Sequence, residues 1–292
     1  MSNFFASNSR KSDKFLKKLK YRKTLIGTVL FVASAAAIVA IVFFTVSILG
    51  KQAKPIVKRE EILELWKAMD YQQVKELTQN ALEADPLNSF FLSMNGFASF
   101  YLALSESDSA QKASKMDEAI FSIRKAMLDD KAVLKPESLY ILGKAYYFKG
   151  PEYYHDCIEN LEESIKLGYI RPDSWEYLAV ANLSIKQYEN SIFYFEKALE
   201  IKPDSAELLL NTALVYKILD KPERTKELAL AAKALAADDF IMERCDFVLA
   251  EIYMQSEKTD DAISLYEDII ARNPESADGW YYQGLALMEK GE

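Results

Sequence analysis

The stretch PDSWEYLAVANLSIKQYENSIFYFEKALEIKPDS, residues 172–205, decides the fold of this chain. Its apolar and small residues recur three or four positions apart in two runs, which places each run on one face of an α-helix. Pro203 ends the second helix because proline lacks an amide hydrogen, and Asp204 with Ser205 begins the next one. The stretch therefore predicts a pair of packed helices. The face residues are Trp175, Leu178 and Asn182, followed by Ile192, Phe195, Ala198 and Leu199.

The same pattern recurs downstream with a period of 34 residues. The next copy carries Leu209, Thr212, Ala213, Tyr216, Thr225, Ala229 and Ala232. After a slip of three residues, a third copy carries Leu249, Ala250, Tyr253, Ala262, Tyr266, Ile269 and Pro274. Trp280 and Gly284 then begin the pattern again.

A period of 34 residues with the motif W-x2-L-G-x2-Y, then A-x3-F, then Pro resembles the tetratricopeptide repeat (TPR) family. The resemblance implies an all-α, right-handed TPR solenoid of helix pairs. One helix pair cannot bury both of its faces, so neighbouring pairs must stack to form a continuous core. The predicted solenoid covers residues 55–292, with repeats at 55–88, 89–131, 136–171, 172–205, 206–239 and 243–276 and a half-repeat at 277–292.

Two stretches depart from the regular period. Residues 105–115, SESDSAQKASK, are too polar for a core, so we expect an excursion at the turn between the two helices of their repeat. The half-repeat at 277–292 is aromatic, whereas a terminal repeat needs a polar outer face. We therefore expect the natural chain to continue beyond Glu292; the alternative is that this helix is an unusual cap.

Charge divides the chain into a basic end and an acidic body. Residues 1–50 carry eight lysines or arginines and one acid, a net charge of +7, and the remaining residues carry 28 basic and 43 acidic side chains, a net charge of −15. An acidic body argues against nucleic acid as a partner, because phosphate contacts need clustered lysine or arginine.

Residues 24–50 form an uncharged, apolar run of 27 residues. The run is about long enough to cross a hydrocarbon layer roughly 30 Å thick, and it is too long for the apolar region of a signal peptide. We predict a transmembrane helix between a basic cytoplasmic tail, residues 1–23, and a linker, residues 51–60. Eight basic residues precede the run and four follow it, which favours a cytoplasmic N-terminus and repeats outside the cytoplasm.

Residues suited to catalysis are few. The single histidine, His155, and Cys157 are two positions apart, so they point to different faces of a helix and cannot form a nucleophile–base pair. Cys157 occupies the small-residue position of its second helix, so we expect a buried thiol. No phosphate-binding or metal-binding motif occurs. We predict that the chain is not an enzyme and uses no cofactor, metal or small-molecule substrate.

In TPR arrays the first helix of each pair lines a concave groove, and the resemblance implies which positions here face it. The predicted groove is aromatic and aliphatic with scattered acids, which suits a helical or extended protein segment with apolar anchors and basic flanks. The candidate binding residues are Phe97, Tyr101, Tyr140, Lys144, Tyr147, Phe148, Glu176, Glu207, Leu210, Lys217, Phe247, Glu251 and Tyr281.

The predicted function is a membrane-anchored scaffold or adaptor for protein interactions. The leading interpretation is an inner-membrane anchor with periplasmic repeats, and similar proteins serve secretion, envelope assembly or motor complexes. One alternative is a cytosol-facing chaperone or import receptor. The lysine and asparagine clamp of chaperone receptors is absent, because its positions hold Glu176 with Val180 and Phe247 with Glu251. A second alternative is a regulatory subunit of a membrane enzyme complex.

Overall fold

A computed structural model describes residues 39–41 and 57–291 of the chain. Residues 39–41 are helical; the rest of the predicted transmembrane run 24–50, the basic tail 1–23 and most of the linker lie outside the described residues. Among the helices in the described ranges, none is both long and apolar enough to cross a membrane. The second described range belongs to one unit, Val57–Glu292.

Residues 57–291 form thirteen α-helices and contain no strand. The helices are α1 (Arg59–Lys67), α2 (Tyr71–Ala84), α3 (Ser89–Leu104), α4 (Ser109–Ala126), α5 (Lys135–Lys149), α6 (Tyr154–Lys166), α7 (Pro172–Ser184), α8 (Tyr188–Ile201), α9 (Ala206–Ile218), α10 (Pro222–Leu235), α11 (Asp239–Gln255), α12 (Thr259–Arg272) and α13 (Ala277–Lys290). A short 3₁₀ turn, Pro151–Tyr153, precedes α6. The order gives six helix pairs and one further helix, which confirms the predicted all-α solenoid of stacked pairs.

The pair α7–α8 shows how the pattern builds one repeat. Leu178 and Phe195 are buried, and the Oγ of Ser191 donates a hydrogen bond of 2.8 Å to the carbonyl oxygen of Ala179. A small side chain at position 191 lets the two backbones approach closely enough for that bond. Lys186 forms the turn between the helices in the left-handed region, at φ 64°.

The other pairs repeat this arrangement. The equivalent small-residue positions hold Cys157, Thr225 and Ala262, and each is fully buried, as the sequence pattern predicts. Ser205 caps α9 by accepting a hydrogen bond from the amide of Leu208, and Ser276 caps α13 in the same way. Consecutive pairs pack against one another, and their first helices touch, so the core runs from pair to pair.

The polar stretch 105–115 does not form the excursion that its composition suggested; that prediction is wrong. The turn occupies only residues 105–108, and α4 begins at Ser109. Asp108 caps α4 by accepting a hydrogen bond from the amide of Gln111, and Lys115 reaches back to Glu106 with an ion pair of 2.5 Å. The extra residues therefore lengthen α4 at its exposed N-terminal end.

Two helix boundaries also differ from those expected. Helix α1 begins at Arg59, so the last two residues of the predicted linker are helical. Helix α11 begins at Asp239 and runs for 17 residues, so the slip of three residues in the repeat pattern becomes an additional turn of helix. Asp238 caps this longer helix.

A buried carboxylate joins three helices near the C-terminal end of the described chain. Asp246 on α11 is fully buried and forms ion pairs with Lys233 of α10, at 2.5 Å, and with Arg272 of α12. Two cations around one desolvated carboxylate compensate for its burial and fix how the three helices meet.

Candidate functional site

The first helices of the pairs, α1, α3, α5, α7, α9, α11 and α13, carry the candidate binding residues, and we call the side they form the first-helix surface. At its N-terminal end, Tyr101 stacks on Tyr71 with the ring centroids 4.8 Å apart, and Trp66 meets Tyr101 edge-on at 5.5 Å. Offset and edge-to-face contacts of this kind are the favoured arrangements of aromatic rings. This end of the surface is therefore a packed aromatic layer formed by Trp66, Tyr71 and Tyr101.

Lys144 on α5 lies beside this aromatic layer, among rings that begin with Phe100, the neighbour of Tyr101. Its ammonium group lies 5.0 Å from the ring centroids of Tyr140 and Tyr177 and 5.8 Å from that of Phe100. The same group donates to Asp173 Oδ2 at 2.8 Å and to the Tyr140 hydroxyl at 3.0 Å. Aromatic faces and a carboxylate together stabilise a cation that is almost completely removed from water.

The hydroxyl of Tyr140 completes this network by donating to Asp173 at 2.8 Å. Burial, and next the negative charge of Asp173, raise the pKa of Tyr140. The phenol is therefore a permanent hydrogen-bond donor in this network, since its ionised form is disfavoured.

A second aromatic group lies at the C-terminal end of α5. Tyr147 stacks on Tyr154 at 5.3 Å and meets Tyr177 edge-on at 4.8 Å, while Phe148 lies against Tyr147 at 5.6 Å. Burial raises the pKa of Tyr147, and it raises that of Tyr177 to about 12. Phe148 keeps 40% of its surface exposed, so an apolar ring remains available to a partner.

Charge dominates the surface beyond α7. Glu176 pairs with Lys202 at 2.6 Å, and Lys217 pairs with Glu251 one repeat further along. Glu207 is exposed between them. Because Lys217 and Glu251 are each at least partly exposed, screening by water limits what their ion pair contributes.

The structure separates the thirteen candidate residues into two groups. Four side chains are buried in the chain itself, so they offer little surface to a partner: Phe97, Tyr140, Lys144 and Leu210. The other nine keep some exposed surface: Tyr101, Tyr147, Phe148, Glu176, Glu207, Lys217, Phe247, Glu251 and Tyr281. Phe247 packs near Tyr282 at 6.1 Å, and Tyr281 is 63% exposed.

Sequence reasoning missed several aromatic members of the surface. Trp66 lies in the degenerate first repeat, where the motif does not fix the register. Tyr177 adjoins Glu176 on α7, and its position next to Tyr147 depends on how two neighbouring pairs pack. The sequence feature that could have pointed to these residues is the concentration of aromatic side chains in the first helices.

Comparisons with known proteins agree with this architecture. Models of the tetratricopeptide repeat match residues 172–205 and 247–292. A search of curated protein sequences found no match. The chain therefore contains tetratricopeptide repeats, and such repeats generally serve as scaffolds for protein interactions.

Several solved structures share the fold at low sequence identity. YrrB, described as a TPR protein with an unusual peptide-binding site, is 17% identical, with a TM-score of 0.56 over 75% of this chain and 100% of YrrB. A structure of MamA AMB-1 is 16% identical, with a TM-score of 0.53 over 66% of this chain and 95% of MamA. PilF of Pseudomonas aeruginosa is 18% identical, with a TM-score of 0.52 over 77% of this chain and 94% of PilF.

Proposed function

We propose that this chain is a membrane-anchored scaffold whose first-helix surface holds a segment of another protein. One observation carries the proposal: the aromatic group around Tyr147 leaves Phe148 substantially exposed on that surface. Large aromatic side chains at the centre of a surface are the residues that most often dominate protein binding energies. The fold shared with YrrB, a TPR protein with a peptide-binding site, supports the same assignment.

The chemistry of the surface defines the partner. Its exposed aromatic rings suit an apolar anchor side chain, and its acids, with the net negative charge of the body, suit basic flanking residues. The proposed partner is therefore a helical or extended protein segment in which basic residues flank an apolar anchor.

The apolar run 24–50 and its basic flank support the membrane part of the proposal. The run has the length of a single transmembrane helix, and the eight basic residues before it favour retention of the N-terminus in the cytoplasm. The repeats then lie outside the cytoplasm, in the periplasm of a cell with two membranes, as part of an envelope complex.

Replacement of residues in the aromatic group around Tyr147 tests the binding function. Phe148→Ala and Tyr147→Ala in the full chain should weaken recovery of the partner, because removal of a buried anchor costs about 2 kcal/mol or more of binding free energy. Phe193→Ala is the matched control, since Phe193 is a comparably exposed phenylalanine on the second helix α8. Equal recovery of the partner by all three variants would show that the first-helix surface does not bind it.

Reporter fusions test the topology. A reporter that is active only outside the cytoplasm should work when fused after Lys58. Replacing the basic residues between Arg10 and Lys23 by glutamine should reduce that signal, because the orientation depends on their charge. Activity of a cytoplasm-only reporter at the same site would instead support the cytosol-facing receptor.

A further inference from the structure

A cavity of about 390 Å³ opens among the first three helix pairs, on the first-helix surface. Its walls come from three first helices, α1, α3 and α5, and from the loop that precedes α7. Aromatic rings form much of the wall, and one carboxylate and one guanidinium reach it. The residues that matter to the argument are Trp66, Met94, Tyr101, Glu137, Tyr169 and Arg171.

Glu137 forms no ion pair with the described residues. Its Oε2 atom is buried and has no hydrogen-bond partner among the described residues. Glu137 lies in the first turn of α5, where the helix dipole favours a negative charge. A buried acceptor without a donor is unfavourable, so a donor that arrives from outside would gain both the hydrogen bond and the charge interaction.

The neighbouring Lys144 shows which chemistry this aromatic layer accepts. Its ammonium group is enclosed by the faces of Phe100, Tyr140 and Tyr177 and is paired with Asp173. Tyr140 also lines the cavity, so the lysine network and the cavity share a wall. The cavity repeats the combination of aromatic faces and a carboxylate, and Arg171, which also lines it, forms no ion pair with that carboxylate.

We propose that this cavity receives a lysine or arginine side chain of the partner segment, which pairs with Glu137 and lies against the faces of Trp66 and Tyr101. This inference rests on the proposed function and names one contact within it. A long basic side chain fits because its apolar stem can follow the aromatic wall while its charged end reaches the carboxylate.

Arg171 makes it possible to predict in which direction a substitution changes the affinity for a cation. It lines the same cavity, is exposed, and forms no ion pair with the described residues. Its positive charge opposes an incoming cation, so Arg171→Gln should strengthen cation binding while Glu137→Gln weakens it. A cavity built for a carboxylate would give the opposite signs for both variants.

The experiment uses the full chain in detergent with ¹³C-methyl-labelled methionine, because Met94 lines the cavity. Its methyl signal is assigned by its loss in Met94→Leu. The probes are N-acetyl-arginine amide and N-acetyl-citrulline amide, which differ by one charge and little in shape. The arginine probe should shift the Met94 signal saturably, at concentrations about tenfold lower than the citrulline probe requires.

Three variants complete the test. Glu137→Gln should weaken binding of the arginine probe by about tenfold, Arg171→Gln should strengthen it by a few-fold, and Glu267→Gln should leave it unchanged. Glu267 is exposed on α12, so its variant has the same change of charge away from the cavity. Circular dichroism confirms that each variant is folded, and the Arg171 variant keeps the test informative if Glu137→Gln unfolds.

Equal binding of the two probes, or signs opposite to those expected for the Glu137 and Arg171 variants, would overturn the inference. Partner recovery that depends on Phe148 is measured separately. If that dependence holds while the arginine probe fails to shift Met94, the binding function stands and only the basic contact is lost. If the probe binds as expected while recovery ignores Phe148, the cavity stands and the proposed partner surface does not.

Discussion

Lys144 Nζ lies 2.8 Å from Asp173 Oδ2, and this ion pair joins the third helix pair to the fourth. The lysine is buried, whereas the carboxylate keeps 36% of its side-chain surface exposed. The two partners therefore depend on each other unequally. Without Asp173 the ammonium group stays buried among rings with only the Tyr140 hydroxyl, whereas without Lys144 the carboxylate can still be hydrated.

Asp173→Asn should lower the free energy of unfolding by roughly 1–2 kcal/mol, because a buried cation loses its counter-charge. Lys144→Met should lower it by less than about 1 kcal/mol, since the aromatic neighbours accept an apolar chain. Urea unfolding of the full chain in detergent measures both values. A larger loss from Lys144→Met than from Asp173→Asn would contradict the asymmetry.

Two glycines should respond in opposite ways to replacement by alanine, because Gly143 lies where α5 and α6 approach closely and Gly284 lies in open space. A Cβ atom on Gly143 would lie 2.7 Å from Leu161 Cγ, whereas one on Gly284 would meet nothing within 4 Å. Gly143→Ala should therefore destabilise the chain by about 1–3 kcal/mol through overpacking. Gly284→Ala should stabilise α13 by up to about 1 kcal/mol. Thermal unfolding of both variants checks the prediction, and a neutral Gly143→Ala would show that the helices can separate cheaply.

Two phenylalanines should separate folding from binding. Phe195 is 1% exposed and Phe148 is 40% exposed. Phe195→Ala should lower stability by about 3–5 kcal/mol, because it leaves a cavity in the core, whereas Phe148→Ala should lower it by less than about 1 kcal/mol. Denaturation curves measured beside partner recovery test this division. A loss of stability in Phe148→Ala as large as that in Phe195→Ala would contradict this prediction.

Alkaline pH should destabilise the fold through its buried thiols and phenols. Burial raises the pKa of Cys157 from 9.0 to about 12 and that of Cys245 to about 11. A raised folded-state pKa means that the native chain holds the proton more tightly, so stability is constant below about pH 8 and falls between pH 9 and 12. At pH 10.5 the thiol of Cys157 alone should reduce stability by about 2 kcal/mol relative to pH 8.

Cys157→Ser provides the control for that pH dependence. Serine fills the equivalent position at Ser191, where its hydroxyl donates to the carbonyl oxygen of Ala179, and it does not titrate in this range. The difference in unfolding free energy between the native chain and Cys157→Ser should therefore change as the pH rises from 8 to 10.5. A difference that is independent of pH would show that the thiol ionises equally in the folded and unfolded states.

The core residues could be predicted from the sequence, because the positions of the repeat motif are the positions that become buried. Leu178, Phe195 and the small residue at position 157 fall on buried faces where the 34-residue register predicts them. The prediction of an excursion at residues 105–115 was wrong because it relied on composition, and a helix end that is solvated on most sides is as polar as a loop. The Lys144–Asp173 pair and the cavity at Glu137 depend on the rotation between neighbouring pairs, which residue spacing does not encode.

Site-specific photocrosslinking from the first-helix surface tests the central claim most directly. p-Benzoylphenylalanine is placed at position 148 or, as a control, at position 193, in the full chain within its native membrane. Crosslinks from position 148 should reach one protein segment that combines apolar and basic residues, and they should disappear with Tyr147→Ala, while position 193 gives none. Crosslinks that are equally abundant from both positions, or that arise only from position 193, would contradict a binding surface formed by the first helices.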